Sequence, residues 1–152
     1  MKLYRIAACK FINDLSGTGA FLKGGRWNSA GIHVLYTAES SALAMLEALA
    51  HITMISMKQP YCLLRLQVPE DMEVIDKAQL PDGWNKRPEP DALKQYGDQF
   101  VATGKKLLLK VPSVLIPDNY NYLVNPHHPL MARVKTESVA NISFDRALLE
   151  PR

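Results

Sequence analysis

The sequence predicts an α+β domain on a largely antiparallel sheet, and three observations carry that prediction. Strand-like segments outnumber helical ones, and the two kinds lack the regular alternation of βαβ units. Two strand-like runs, residues 61–68 and 72–76, also follow each other so closely that antiparallel pairing between them is expected. The 152 residues, 47% hydrophobic and 22% charged, suit one hydrophobic core and would cramp two, so a single domain over residues 1–152 is expected.

Residues 2–8 carry the alternation and β-branched content of a first strand. Residues 13–31 are rich in Gly, Ser and Asn, too polar and flexible for regular structure throughout, and a long early loop of this kind often carries function. Residues 34–38 read as a short strand, after which Glu39-Ser40-Ser41 offers hydroxyl caps to a helix that runs to about Met54. The strand over residues 61–68 stops at Pro69, and residues 72–76 form a shorter one. Residues 79–90 hold three prolines, two acidic turn formers and Gly83, hence a surface loop. Residues 91–103 resume helical spacing, and Gly104 ends it. A strand over residues 107–111 enters Pro112-Ser113, after residues 113–117 the stretch 118–121 reads as loop, Asn125-Pro126 as a turn, and residues 138–144 as a closing strand.

Several function classes are excluded. No apolar run approaches the roughly 20 residues that span a bilayer, and the opening residues lack a secretory pattern, so a cytoplasmic protein without a membrane partner is expected. The net charge of +3 is thinly spread, with only Lys86-Arg87 and Lys105-Lys106 adjacent, too weak a footprint for direct nucleic-acid binding. Cys9 and Cys62 stand far apart with no CxxC or histidine at ligand spacing, so neither zinc nor a disulfide is indicated and buried reduced thiols are expected. Ser16-Gly17-Thr18-Gly19 lacks the third glycine of a dinucleotide fold, and Gly104-Lys105-Lys106 lacks the upstream glycine and hydroxyl of a P-loop.

Four positions could carry chemistry. Glu47 is the only charged residue between Ser40 and Ala50, in a run otherwise almost all Ala, Leu and Met. Such a helix is largely enclosed, and a carboxylate there loses hydration and needs cationic or hydrogen-bonding partners. The alternative is a narrow solvated stripe with Ser40, Ser41 and His51, and pattern alone leans to it. In Gly24-Gly25-Arg26-Trp27-Asn28 two glycines allow close backbone approach and deliver an arginine, the natural bidentate ligand of a pyrophosphate, although such loops also occur with no ligand. Tyr36 ends an apolar strand, so its ring is placed to stack on a base or nicotinamide, or simply to fill the core. Ser113 has no GxSxG elbow around it, which points to hydrogen bonding rather than nucleophilic attack. His127-His128 lacks a carboxylate at HExxH spacing and reads as loop, leaving no metal site.

Taken in order, Gly24-Gly25-Arg26-Trp27-Asn28-Ser29-x-Gly31, Val34-x-Tyr36-x-Ala38 and Leu43-Ala44-x-Leu46-Glu47-x-Leu49-x-His51 resemble the front half of the RES domain family, named for its Arg, Glu and Ser. Val111-Pro112-Ser113, Pro117, Asn121-Tyr122-Leu123-x-Asn125-Pro126-x-His128-Pro129 and Phe144-Asp145-x-x-Leu148 resemble its back half. Residues 79–90 are the least familiar stretch.

The resemblance implies a fold similar to ADP-ribosyltransferases, a compact antiparallel β core flanked by helices, with NAD+ as substrate and no separate cofactor. It implies the toxin of a type II toxin–antitoxin pair that cleaves the nicotinamide–ribose bond and arrests growth, the ADP-ribosyl acceptor being water or phosphate. Protein ADP-ribosylation is the second reading, and a catalytically silent binding module the third. The implied partner is an Xre-type helix-turn-helix antitoxin that covers the active site in a hetero-oligomer. Carried over by position, the catalytic set is Arg26, Tyr36, Glu47 and Ser113, and the substrate-binding set is Arg26, Trp27, Tyr36, Ser113 and Asn121. In that scheme Glu47 stabilises an oxocarbenium, Arg26 grips the pyrophosphate or orients the ribose, Tyr36 stacks near the nicotinamide, and Ser113 hydrogen-bonds the substrate or holds Glu47.

Overall fold

Seven strands form one sheet in the computed structural model, which describes residues 1–53 and 55–150. They are β1 (Lys2–Ala8), β2 (Leu35–Ala38), β3 (Tyr61–Gln67), β4 (Met72–Val74), β5 (Leu108–Pro112), β6 (Tyr120–Val124) and β7 (Lys135–Ile142), in the order β4-β5-β6-β2-β1-β3-β7. Every neighbouring pair is antiparallel except β4 with β5. Three helices, α1 (Thr18–Lys23), α2 (Ser41–Leu49) and α3 (Lys94–Thr103), complete an α+β domain of the expected class.

Side-chain alternation sorts the core into two faces. Leu35, Tyr122 and Val124 join Leu3, Leu64, Leu66 and Leu108 on one face. Leu109, Val111 and Leu123 point the other way and meet Trp27, Leu93 and Phe100 from the arginine loop and the α3 region. On the same side, Ala38 receives Leu43 and Ala44 of α2. Leu109, Val111 and Leu123 are at most 1% exposed. Burying such side chains is worth about 1.5–3 kcal/mol each, so a one-residue slip of β5 or β6 would be heavily penalised. That register puts Ala38, Asn121 and Val111 side by side across β2, β6 and β5.

Local signals explain the helix ends. Ser40 Oγ accepts from the Leu43 amide at 3.1 Å and starts α2. Gly104, in a left-handed conformation with φ 58°, ends α3 and donates to the Phe100 carbonyl at 3.2 Å.

Five expectations need correction. The helix expected to reach Met54 stops at Leu49, and Met54 itself lies outside the described residues. Beyond it, the Thr53 and Ser56 side chains bond each other's backbone amides at 3.2 and 2.9 Å, a local competitor to helix propagation. The run over residues 72–76 does not pair with β3: β4 lies at the opposite side of the sheet, parallel to β5. Asp71 directs it there, its carbonyl accepting from Leu108 and its carboxylate from the Leu107 amide. Residues 120 and 121, expected in a loop, open β6, because pairing with both β5 and β2 outweighs their turn-like composition. The turn is confined by Asp118, at φ 60°. The closing strand begins at Lys135 and ends at Ile142.

The fifth correction concerns the cysteines, which are paired in a disulfide with Cα atoms 4.9 Å apart. Sequence spacing hid this because the contact depends on register. β1 and β3 pair Ala8 with Tyr61, and the Cys9 amide donates to the Pro60 carbonyl at 2.9 Å, so Cys9 arrives beside Cys62.

Candidate active site

The α2 side of the sheet carries the candidate site. Glu47 Oε1 accepts from Asn121 Nδ2 at 2.7 Å and from Ser113 Oγ at 3.2 Å. Glu47 is only half-buried, next to exposed Leu46 on a helix that buries Leu43 and Ala44 alone, yet its carboxylate has found hydrogen-bonding partners in β6 and the β5–β6 connection. No donor within hydrogen-bond distance engages Oε2 among the described residues.

Ser113 is only 5% exposed and sits in the β5–β6 connection, where its amide donates to the Asn119 carbonyl at 2.9 Å. Its hydroxyl oxygen accepts from the amides of Leu115 and Ile116 at 3.1 and 3.3 Å, which leaves the hydroxyl proton to Glu47. An oxygen so engaged is a poor nucleophile and a good anchor.

Arg26 arrives on the loop between α1 and β2. A Cβ at Gly25 would stand 2.6 Å from the Tyr36 hydroxyl, so that position needs glycine for close approach. Arg26 Nη1 donates to the carbonyls of Trp84 and Lys86 at 2.9 and 3.2 Å. The guanidinium is thereby held through one nitrogen, and its Nε and Nη2 N–H groups have no acceptor among the described residues. That free edge has the fork geometry that binds two oxygens of a phosphate. Burial lowers the pKa of Arg26 from its ordinary value; Glu89 and, more weakly, Glu47 and Tyr36 oppose the shift, while Arg87 adds to it. The group stays cationic in any case.

Tyr36 binds the arginine loop to the sheet. Its hydroxyl donates to Asn28 Oδ1 at 2.6 Å and accepts from the Trp27 amide at 3.2 Å. Asn28, fully buried, donates through Nδ2 to the carbonyls of Ala20, Ser29 and Ile32. Burial raises the pKa of Tyr36 well above the ordinary tyrosine value, which rules the phenol out as a proton carrier near neutrality. Its ring is partly buried against the core cluster of Trp27, Leu109 and Leu123.

The structure therefore joins Glu47, Ser113 and Asn121 by direct hydrogen bonds and ties Tyr36 to the arginine loop through the Trp27 amide and Asn28, whereas no hydrogen bond or ion pair links Arg26 to Glu47 among the described residues. Trp27 stands apart: it is 3% exposed, packed in the core with an edge-on contact to Tyr96. His127 and His128 are elsewhere, His128 capping a turn through the Leu130 amide and His127 meeting His33 edge-on. Concavity alone points elsewhere too. An open cleft of about 500 Å³ between Met1, Glu70 and Arg133 shares no residue with the Glu47 cluster.

Sequence reasoning missed the supports. Asp98 accepts from the Ser29 amide at 2.8 Å and from the Ser29 hydroxyl at 2.5 Å, tying the arginine loop to α3. The signal was there in Gly97, a glycine inside a helix that costs about 1 kcal/mol and so marks a close approach. The carbonyls of Trp84 and Lys86 left no such signal, because a main-chain acceptor is common to every residue type.

The RES domain family model matches residues 2–147. The chain is 39% identical over 142 residues to "Toxin Res" of Pseudomonas putida, covering 90% of this chain and 92% of that protein. It is 35% identical over 141 residues to the "Prs ADP-ribosylating toxin" of a Sphingobium species, covering 90% and 88% respectively. Its fold is similar to that of a chain in the crystal structure of the M. tuberculosis MbcT–MbcA toxin–antitoxin complex, with a TM-score of 0.75 at 17% identity over 93% of this chain and 84% of that one.

Proposed function

The chain belongs to the RES domain family, and from that premise we propose that it is the toxin of a toxin–antitoxin pair, an enzyme that breaks the nicotinamide–ribose bond of NAD+. The observation that carries this reading is the Glu47 carboxylate, loaded on one oxygen by Asn121 and Ser113 and left open on the other.

In the reaction, the bond from ribose C1′ to the nicotinamide nitrogen breaks, and its electron pair neutralises the leaving ring. The ribose becomes an oxocarbenium, which the open oxygen of Glu47 stabilises electrostatically. The free edge of Arg26 holds the diphosphate, the Tyr36 ring packs by the nicotinamide, and Ser113 keeps the carboxylate in place. A lone pair of an acceptor oxygen then forms the new bond to C1′, and the acceptor's proton passes to solvent or to Glu47. NAD+ is thus a substrate, and the scheme uses no separate cofactor. Water or phosphate is the first choice of acceptor. The name of the Sphingobium relative favours a second reading, transfer to a protein side chain.

The partner in this reading is an Xre-type antitoxin that covers the Glu47 site, and the enzyme acts in the cytoplasm, where NAD+ is found. Among the described residues no helix is long and apolar enough to cross a membrane.

The test follows NAD+ over time with wild type and Glu47→Gln, with and without phosphate, and with labelled NAD+ to detect transfer to protein. Gln keeps an oxygen for Asn121 and Ser113 but removes the charge. The expected fall in rate is about 10²–10³-fold, the cost of removing one preorganised electrostatic group. NAD+ loss that survives Glu47→Gln would remove the carboxylate from the mechanism. Label on protein that accounts for all of the NAD+ consumed would select protein modification, and neither label nor NAD+ loss would leave a binding module.

A further inference from the structure

The resemblance to the RES family places Asn121 among the residues that bind substrate. We propose instead that Asn121 is a positioning residue, whose side-chain amide holds the Glu47 carboxylate in a single orientation and presents Oε2 to the reacting ribose. The inference rests on reading Glu47 as the reacting carboxylate.

The first support is the backbone. β6 is a central strand, so Asn121 is fixed by ladders on both sides, paired with Ala38 of β2 and Val111 of β5. A short side chain on a doubly paired strand has little freedom to follow a ligand.

The second is the bond. At 2.7 Å it is shorter than the usual 2.9–3.0 Å of an N–H to oxygen contact and suits a donor facing an ionised acceptor. It is also the shorter of the two bonds Glu47 Oε1 receives. Turning the amide over would set Oδ1 against the carboxylate, so chemistry alone decides which end faces Glu47.

The third is the division of labour with Ser113. That hydroxyl also serves the amides of Leu115 and Ile116, so its geometry is dictated by the β5–β6 connection. Asn121 comes from β6 itself, and two donors, one from the β5–β6 connection and one from a central strand, converging on one oxygen fix both torsion and tilt of the carboxylate. With Oε1 loaded twice, a single oxygen remains for the ribose.

Asn121→Ala and Asn121→Asp test this in the full chain. Removing a group that orients a reacting residue costs about 10–100-fold, so Asn121→Ala should lower kcat by that factor while KM for NAD+ stays within about 3-fold. Asp is the same size but cannot donate when ionised and repels Glu47, so Asn121→Asp should have a lower kcat than the alanine variant at pH 8. A raised KM with kcat kept would make Asn121 a substrate ligand, and an aspartate variant as fast as the alanine variant would refute donation to Glu47. A second readout does not depend on turnover: the Glu47 carboxyl 13C resonance, assigned through Glu47→Gln, should move in Asn121→Ala. If wild type fails to consume or transfer NAD+, the proposed reaction falls while a moved resonance still supports the contact; an unmoved resonance sinks the contact whatever the activity.

Discussion

The Tyr36 hydroxyl holds the arginine loop, donating to Asn28 and accepting from the Trp27 amide. Tyr36→Phe keeps the ring and loses both bonds, leaving Asn28 Oδ1 and the Trp27 amide without that partner. Unsatisfied buried groups cost about 1–3 kcal/mol, and a loss of stability in that range is expected by denaturant titration. The pH dependence follows from the sign of the shift. Burial raises the folded-state pKa of Tyr36, so above the ordinary value of about 10 the unfolded chain releases a proton that the folded chain keeps. Stability from this group is therefore full below pH of about 10 and falls as pH rises further. Wild type should show this alkaline loss more steeply than Tyr36→Phe; equal slopes would mean that the phenol is not buried as described.

α3 acts as a clamp on the loop that bears Arg26. The Gly97 amide donates to the Trp27 carbonyl at 2.9 Å, and a Cβ on Gly97 would collide with that carbonyl. Gly19 in α1 offers the contrast, since a Cβ there meets nothing within 4 Å. Both positions are helical, and alanine is favoured over glycine in helices by up to about 1 kcal/mol. Gly19→Ala should therefore be neutral or stabilising. Gly97→Ala should destabilise by about 1–3 kcal/mol through overpacking and, by moving the loop, raise KM for NAD+. Thermal melts and initial rates on the pair would decide it, and similar behaviour of the two variants would refute the clamp.

The sheet separates the disulfide from the candidate site. Cys62 belongs to the core on one face, whereas α2 packs on the other through Ala38. The bond closes a loop with a sequence separation of 53 residues. By chain entropy such a link is worth about 4 kcal/mol, which corresponds to roughly 10 °C in Tm for a domain of this size. Reduction, or Cys9→Ser, should lower Tm by that order and leave NAD+ turnover at 25 °C unchanged. Lost turnover in a folded reduced protein would show that the two faces are coupled. The reduced form is also the relevant one in a reducing compartment, where thiols are favoured.

Much of the fold was legible in the sequence because its terms are local. Alternation marked β1 over its full length, Ser40 and Gly104 marked helix ends, and one charge in an apolar run made Glu47 a candidate, which the family resemblance and not the pattern favoured over a solvated stripe. Each depends on residues within a turn or two of one another. The tertiary structure alone decided what those residues meet. Ser113 and Asn121 reach Glu47 from 66 and 74 residues away, Trp84 and Lys86 hold Arg26 through carbonyls, β4 runs parallel to β5, and Cys9 finds Cys62. These contacts depend on strand order and register, which the packing of both sheet faces fixes together, and local spacing carries no record of them.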